Sequence, residues 1–323
     1  MLLLSPDRRA DAVSQRLHLE AVDRLTAAYK AELEQRTRRL HEATVRALRT
    51  RVRGDADEDP PGLTTSERAA LLAVLGRLAR TWRGEHQPDE RQIDRLFSRA
   101  DRATTQHTRK SVAATVRGRG IETLLLDAPA TDPKAMRANF IAANVDLITS
   151  IDARYLADVA GLVDVAQRDG RTWGWIAQSL EDRFRVSQSR AQLIARDQLG
   201  KLTGQLTQVR HLELGLDSYQ WMTSGDERVR RSHERLEGRI FRWDAPPPVG
   251  HPGEDFQCRC TSRAVVSAAH AQQLRDLAEE RMRGQAERIA NTPIVLGTIT
   301  ARQGRRLDPA RLAEFKGEFR RVA

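Results

Sequence analysis

The chain has 323 residues, a formal charge of +10 at pH 7, 40% hydrophobic and 30% charged residues. It is long enough for a real core and for two or more domains, but its interior must be lean. No apolar run approaches the ~20 residues needed to cross a bilayer, and Met1 to Leu4 stops at Ser5-Pro6-Asp7, too short for a signal peptide, so no membrane span and a start in a cytoplasm are expected.

The helical pattern begins early. Arg16 to Val52 repeats Val22, Leu25, Tyr29, Leu33 and Leu40 at three- and four-residue steps, with Arg and Glu on the other faces, which predicts a long helix with one narrow apolar stripe. Gly54 to Gly62 is acidic and rich in Pro and Gly, and reads as a loop. Thr64 with Glu67 forms a capping-box pattern ahead of a helix through Leu71, Leu75 and Trp82. A third helix runs from about Asp89 to Val116, and Ile121 to Leu126 is a short apolar segment. Asp127 to Pro133 reads as a linker, and a domain boundary is expected there.

Lys134 to Leu162 is again helical. Gly170-Arg171-Thr172 should open a shorter helix through Trp173 and Phe184, with Ser187 as the N-cap of another helix ending at Glu213, before Gly215. Tyr219 to Met222 reads as a strand, and Ser224 with Glu227 as a capping box for a short helix to Glu234. A helix starting as early as Asp226 would stack Asp226 and His233 on one face. Leu236 to Trp243 supplies a second strand, and Ala245 to Gly250 holds too many prolines for anything but an irregular loop. Beyond it, His270 to Ala290 is an amphipathic helix, Ile294 to Ile299 is strand-like, and Asp308-Pro309 opens a last helix.

The expected fold class is therefore mainly α. An extended helical N-terminal region (1–128) precedes a helical domain that ends in a small α+β unit with an irregular Pro-rich loop (129–266), and a helical C-terminal tail (267–323) follows.

Chemistry concentrates between Tyr219 and Arg263, which holds both cysteines. Two cysteines one residue apart cannot make a disulfide framework, so metal binding or free thiols are expected. His233, His251, Cys258 and Cys260 form a two-His, two-Cys set of the kind that binds zinc, and a bound ion would supply the folding free energy that a unit with so few apolar residues lacks. Asp226 is an alternative ligand, or would orient His233 through a carboxylate–imidazole hydrogen bond. The competing reading keeps the histidines as surface and turn residues and the thiols as small buried hydrophobes. Arg259, between the cysteines, is a candidate partner for a carboxylate such as Asp226 or Glu254.

The positive charge favours polyanionic neighbours. All but five of the 54 basic residues are arginine, the exceptions being Lys30, Lys110, Lys134, Lys201 and Lys316. That skew is the one expected of a GC-rich coding sequence. Aromatic residues make up 5% of the chain and do not interleave with a basic stretch. The expected contact is thus non-specific, with DNA phosphates, and no base readout is indicated.

The run W-M-T-S-G-D-E-R-V-R-R-S-H-E-R-L-E-G at Trp221 to Gly238, the Pro-rich loop, and H-P-G-E-D-F-Q-C-R-C at His251 to Cys260 resemble the phage Mu F-like head morphogenesis family of minor capsid proteins. N-V-D-L-I-T-S-I at Asn144 to Ile151 and S-R-A-Q-L-I-A-R-D-Q at Ser189 to Gln198 are similar to the part of that domain ahead of the motif, so the resemblance covers about 134–266. Carried onto this chain, the family positions are Asp226, Arg228, His233, Gly238, Pro252, Gly253, Cys258, Arg259 and Cys260. The resemblance implies a non-enzymatic, low-copy virion component of a tailed phage or prophage. Its implied partners are the portal protein, other capsid components and packaged DNA. Its implied place is the capsid interior or portal vertex, with the host cytoplasm as the site of assembly. The alternatives are a metal-dependent nuclease, in which histidines and carboxylates activate water, and a zinc-stabilised DNA-binding adaptor.

Overall fold

The computed structural model of the protein describes residues 8–50 and 62–291. Most of the loop expected at 54–62 lies outside the described residues, as do the strand expected at 294–299 and the helix expected from Asp308. The chain divides into two units, 1–281 and 282–323.

Among the described residues there are α1 (Arg8–Arg49), α2 (Thr65–Glu85), α3 (Glu90–Val116), α4 (Ile121–Asp127), α5 (Lys134–Arg168), α6 (Trp173–Glu213), β1 (Ser218–Met222), α7 (Arg231–Glu234), β2 (Ile240–Arg242), β3 (Thr261–Ala264) and α8 (Ala268–Asn291). The protein is mainly α with one small antiparallel sheet. No described helix is long and apolar enough to cross a membrane.

The stripe on α1 explains how the helices assemble. Tyr29, Leu33, Thr37, Leu40, Thr44 and Leu48 are all buried and follow one another at three- and four-residue steps. The two threonines sit on an apolar face because each hydroxyl is satisfied within the helix, as in the bond from Thr44 to the Leu40 carbonyl at 2.8 Å. Tyr29 and Leu33 pack with Phe97 of α3, Phe140 and Ile148 of α5, and Leu199 and Leu202 of α6. Leu40 and Leu48 pack with Leu71 and Trp82 of α2, Val159 of α5, and Ile176 and Leu180 of α6. Buried polar groups pin the register: the Tyr29 hydroxyl donates to Asn144 Oδ1 at 2.7 Å, and Trp82 Nε1 donates to Asp152 Oδ2 at 2.9 Å.

Helices on both sides of the 127–133 link thus share one core. The link itself is tied to α6 by Arg210, buried to 2% exposure, whose guanidinium reaches Asp101, Glu213 and the Thr131 carbonyl. The capping box at Thr64 and Glu67 is present and starts α2.

One expectation is corrected in α6. Ser187 does not cap a new helix; Trp173–Glu213 is a single helix of 41 residues, with Ser187 buried in its middle. A serine favours a cap only where backbone N–H groups lack partners, and neither Gly nor Pro interrupts the chain here to create them. Thr172 does the capping, accepting from the Trp175 amide. The unbroken helix, roughly 60 Å long at 1.5 Å per residue, gives the following sheet a rigid floor.

In the sheet, β1 lies between β2 and β3, antiparallel to both. β3 was not read from the sequence; its four residues, Thr261 to Ala264, alternate in burial but include three polar side chains in a row and none that is large and apolar. Tyr219, Trp221, Leu236, Trp243, Cys258 and Cys260 form a small core of their own on the sheet. Val112 and Val116 of α3, Ile121 and Leu125 of α4, Val266, and Ala271 and Leu274 of α8 form a further cluster.

Candidate metal centre

Two short segments meet over Trp221 of β1. The first is α7, a single turn from Arg231 to Glu234 rather than the longer helix from Glu227 that the sequence suggested. No Ser224–Glu227 capping box forms; Glu237 accepts from the Thr223 amide, and Asp226 accepts from the Arg228 amide. Asp226 therefore does not stack on His233. Its carboxylate pairs with Arg259 at 2.5 Å, one of the two partnerships expected for that arginine.

The second segment is the loop 250–260, which lies on α6. Its backbone comes so near the helix that a Cβ on Gly204 would stand 2.4 Å from the Pro252 carbonyl oxygen, and one on Gly200 would stand 3.1 Å from that of Cys258. Asp197, one turn earlier on α6, accepts from the Gln257 amide at 2.9 Å and holds that residue in a left-handed conformation, φ 54°. Gly253, at φ 92°, occupies a backbone region that suits glycine. The loop is irregular, but its placement is fixed by helix backbone.

These segments bring His233, Cys258 and Cys260 together, all three buried. Both sulfurs lie 3.5 Å from His233 Nδ1. Cys258 Sγ also accepts from the amides of Gly253 and Cys260, each at 3.4 Å. The Cys258 thiol is pushed down to about 6, first by the hydrogen bond it receives from the Cys260 thiol, against burial, and then by those two amides. Cys260, as the donor of that bond, is pushed up.

On its other side, His233 Nε2 lies 3.2 Å from Asp255 Oδ2, and Arg230 Nη1 donates to the same oxygen at 2.8 Å. Arg230 also reaches the Phe256 carbonyl. The Trp221 ring meets the His233 ring edge-on, centroids 5.4 Å apart. Asp255 fills the orienting role that the sequence offered to Asp226. It was missed because nothing in P-G-E-D sets that carboxylate apart until the loop folds back over α7.

His251 lies elsewhere. Its Nδ1 is 3.0 Å from the Tyr219 hydroxyl, its ring packs against Trp243 at 5.0 Å, and its amide donates to Glu254. The sequence-predicted set of His233, His251, Cys258 and Cys260 is thus divided, three together and one serving the aromatic cluster beside them.

Above the trio is a cleft of about 150 Å³, rimmed by Arg196, Arg228, Arg230 and Arg259. That is smaller than the ~300–1,000 Å³ usual for small-molecule sites. A larger cavity, about 340 Å³, lies between α2 and α5 and holds the Arg36–Asp152 pair, away from the cysteines.

Residues 158–263 match the family model described as Phage Mu protein F like protein. This stretch contains the whole His–Cys–Cys trio and the α6 floor beneath the loop. The chain is 43% identical over 126 residues to an uncharacterised protein of Haemophilus influenzae, covering 39% of this chain and 28% of that protein. It is also similar to the NAD(+)–arginine ADP-ribosyltransferase EFV of Enterococcus faecalis, 26% identical over 129 residues, covering 35% of this chain and 26% of that protein. The chain therefore spans 28% and 26% of the lengths of these two relatives. No solved structure matches.

Proposed function

We propose that this protein is a head morphogenesis component of a tailed phage or prophage. In this reading it is a non-enzymatic minor capsid protein, present at low copy in the virion and in contact with the portal and other capsid proteins. The observation that carries the proposal is the match of residues 158–263 to the phage Mu F-like family model, a stretch that contains both cysteines and the irregular backbone around them. A second support is the character of the site. The trio is buried beneath a cleft of about 150 Å³, which suits the holding of a loop better than the turnover of a large substrate.

Contact with packaged DNA, in this proposal, is made through arginines and phosphates without regard to sequence. The Enterococcus relative bears the name of an enzyme, but the match spans 26% of that protein, and the proposal assigns no transferase activity to this chain.

The test is a mass-spectrometric inventory of purified particles and proheads. The protein should be found in both, at a small fraction of the major capsid protein, and should co-purify with portal. Its absence from both would overturn the proposal. Cleavage of plasmid DNA that disappears in His233→Ala would favour the nuclease instead.

A further inference from the structure

We propose that His233 Nδ1, Cys258 Sγ and Cys260 Sγ hold one zinc ion as three protein ligands, and that its fourth coordination position opens to the arginine-rimmed cleft, where water or a small anion binds. The inference stands apart from the assembly reading, and the failure of either leaves the other intact.

The distances carry the first half. A tetrahedral ion with Zn–S near 2.3 Å and Zn–N near 2.1 Å places sulfur and nitrogen about 3.6 Å apart along the tetrahedron's edge. His233 Nδ1 lies 3.5 Å from each sulfur. The surroundings prepare the ligands as well. Amides of Gly253 and Cys260 donate to Cys258 Sγ, stabilising a thiolate. Asp255 on Nε2 orients the ring so that Nδ1 faces the sulfurs, the arrangement in which an outer carboxylate raises the ring's basicity toward a metal. Two thiolates neutralise a divalent ion, so the loaded site carries no net charge into a buried place. Thiolate and imidazole together select zinc over magnesium, calcium or manganese.

The second half follows from where the neighbours are committed. Among the described residues the metal-capable group has three members, not four. His251 is taken by Tyr219, Asp226 by Arg259, and Asp255 by Arg230 and His233. Besides the trio, four arginines line the cleft together with Val229 and Gln257; guanidinium does not ligate a metal, and Gln257 is outside the metal-capable group. A three-ligand site with an exchangeable fourth position differs from the closed four-ligand sites that serve only structure. The arginine rim favours an anion in that position.

The experiment uses the full chain purified without chelator. Elemental analysis should find one zinc per chain, and replacement by cobalt(II) should give thiolate charge-transfer bands with the visible bands of a four-coordinate ion. Azide should shift the visible bands in a saturable way. His251→Gln should keep the metal, Cys258→Ser should lose it, and Asp255→Asn should bind it about 10–100-fold more weakly. Absence of metal from the wild type, or its loss from folded His251→Gln, would overturn the ligand set. A cobalt spectrum unmoved by azide would overturn the open position. Where Cys258→Ser does not fold, the wild-type cobalt spectrum and His251→Gln decide alone.

Discussion

Three histidines from three helices, His18 of α1, His107 of α3 and His211 of α6, are neighbours inside the first unit. His18 stacks on His107 with ring centroids 4.4 Å apart. Burial, and secondarily the charge of His107, lowers both His18 and His211 to about 3. Their unfolded value is near 6.5, so above that pH both states are neutral and the full stability is present. As pH falls from about 6.5 toward 3, the unfolded chain takes up protons that the folded one excludes, and stability is lost at on the order of 1 kcal/mol per pH unit for each residue. Thermal midpoints measured from pH 7.5 to 4 should fall along that slope, and His211→Asn should flatten it; an unchanged slope would show that the buried rings do not titrate as described. The same reasoning explains which site residues were readable. Cysteine occurs twice and histidine eight times, so finding four of these ten residues within the 28 from His233 to Cys260 carried information. Asp255 is one of 44 acidic residues, and its type alone carried none.

The helix α6 decides where the candidate site stands. Asp197, Gly200 and Gly204 lie along one face of it at three- and four-residue steps, and the loop 252–258 rests on them through its backbone. Gly204→Ala would drive a methyl against the Pro252 carbonyl, at a position where neither backbone can yield without moving the loop. The expected cost is about 1–3 kcal/mol in denaturant unfolding. Gly76→Ala, whose nearest neighbour is a flexible arginine tip at 3.7 Å, is the matched control and should be neutral or slightly stabilising. From the sequence Ser187 looked like a break in the helical pattern. Propensity describes a residue's local preference, whereas what occupies the space beside it belongs to another segment about 50 residues away.

Across the first unit, cores cross the positions where the sequence suggested boundaries. Tyr29 and Leu33 from one side of the 127–133 link pack with Phe140, Ile148 and Leu202 from the other, and Val266 packs with Ala271 and Leu274 beyond residue 267. Residues 8–281 should therefore unfold in one cooperative transition, with far-UV circular dichroism and tryptophan fluorescence giving the same midpoint. Two separated midpoints would show that 1–128 folds by itself. Helical class, the α1 stripe, the capping box at Thr64 and the stretch that holds His233, Cys258 and Cys260 were legible in the sequence, because each rests on periodicity or on a rare residue type within a short window. The continuity of α6, the separation of His251 from the thiols, the choice of Asp255 over Asp226 and the sharing of one core across 128 were decided only by tertiary structure. Each depends on which distant backbone lies alongside, and a linear pattern holds no record of that until the chain has closed on itself.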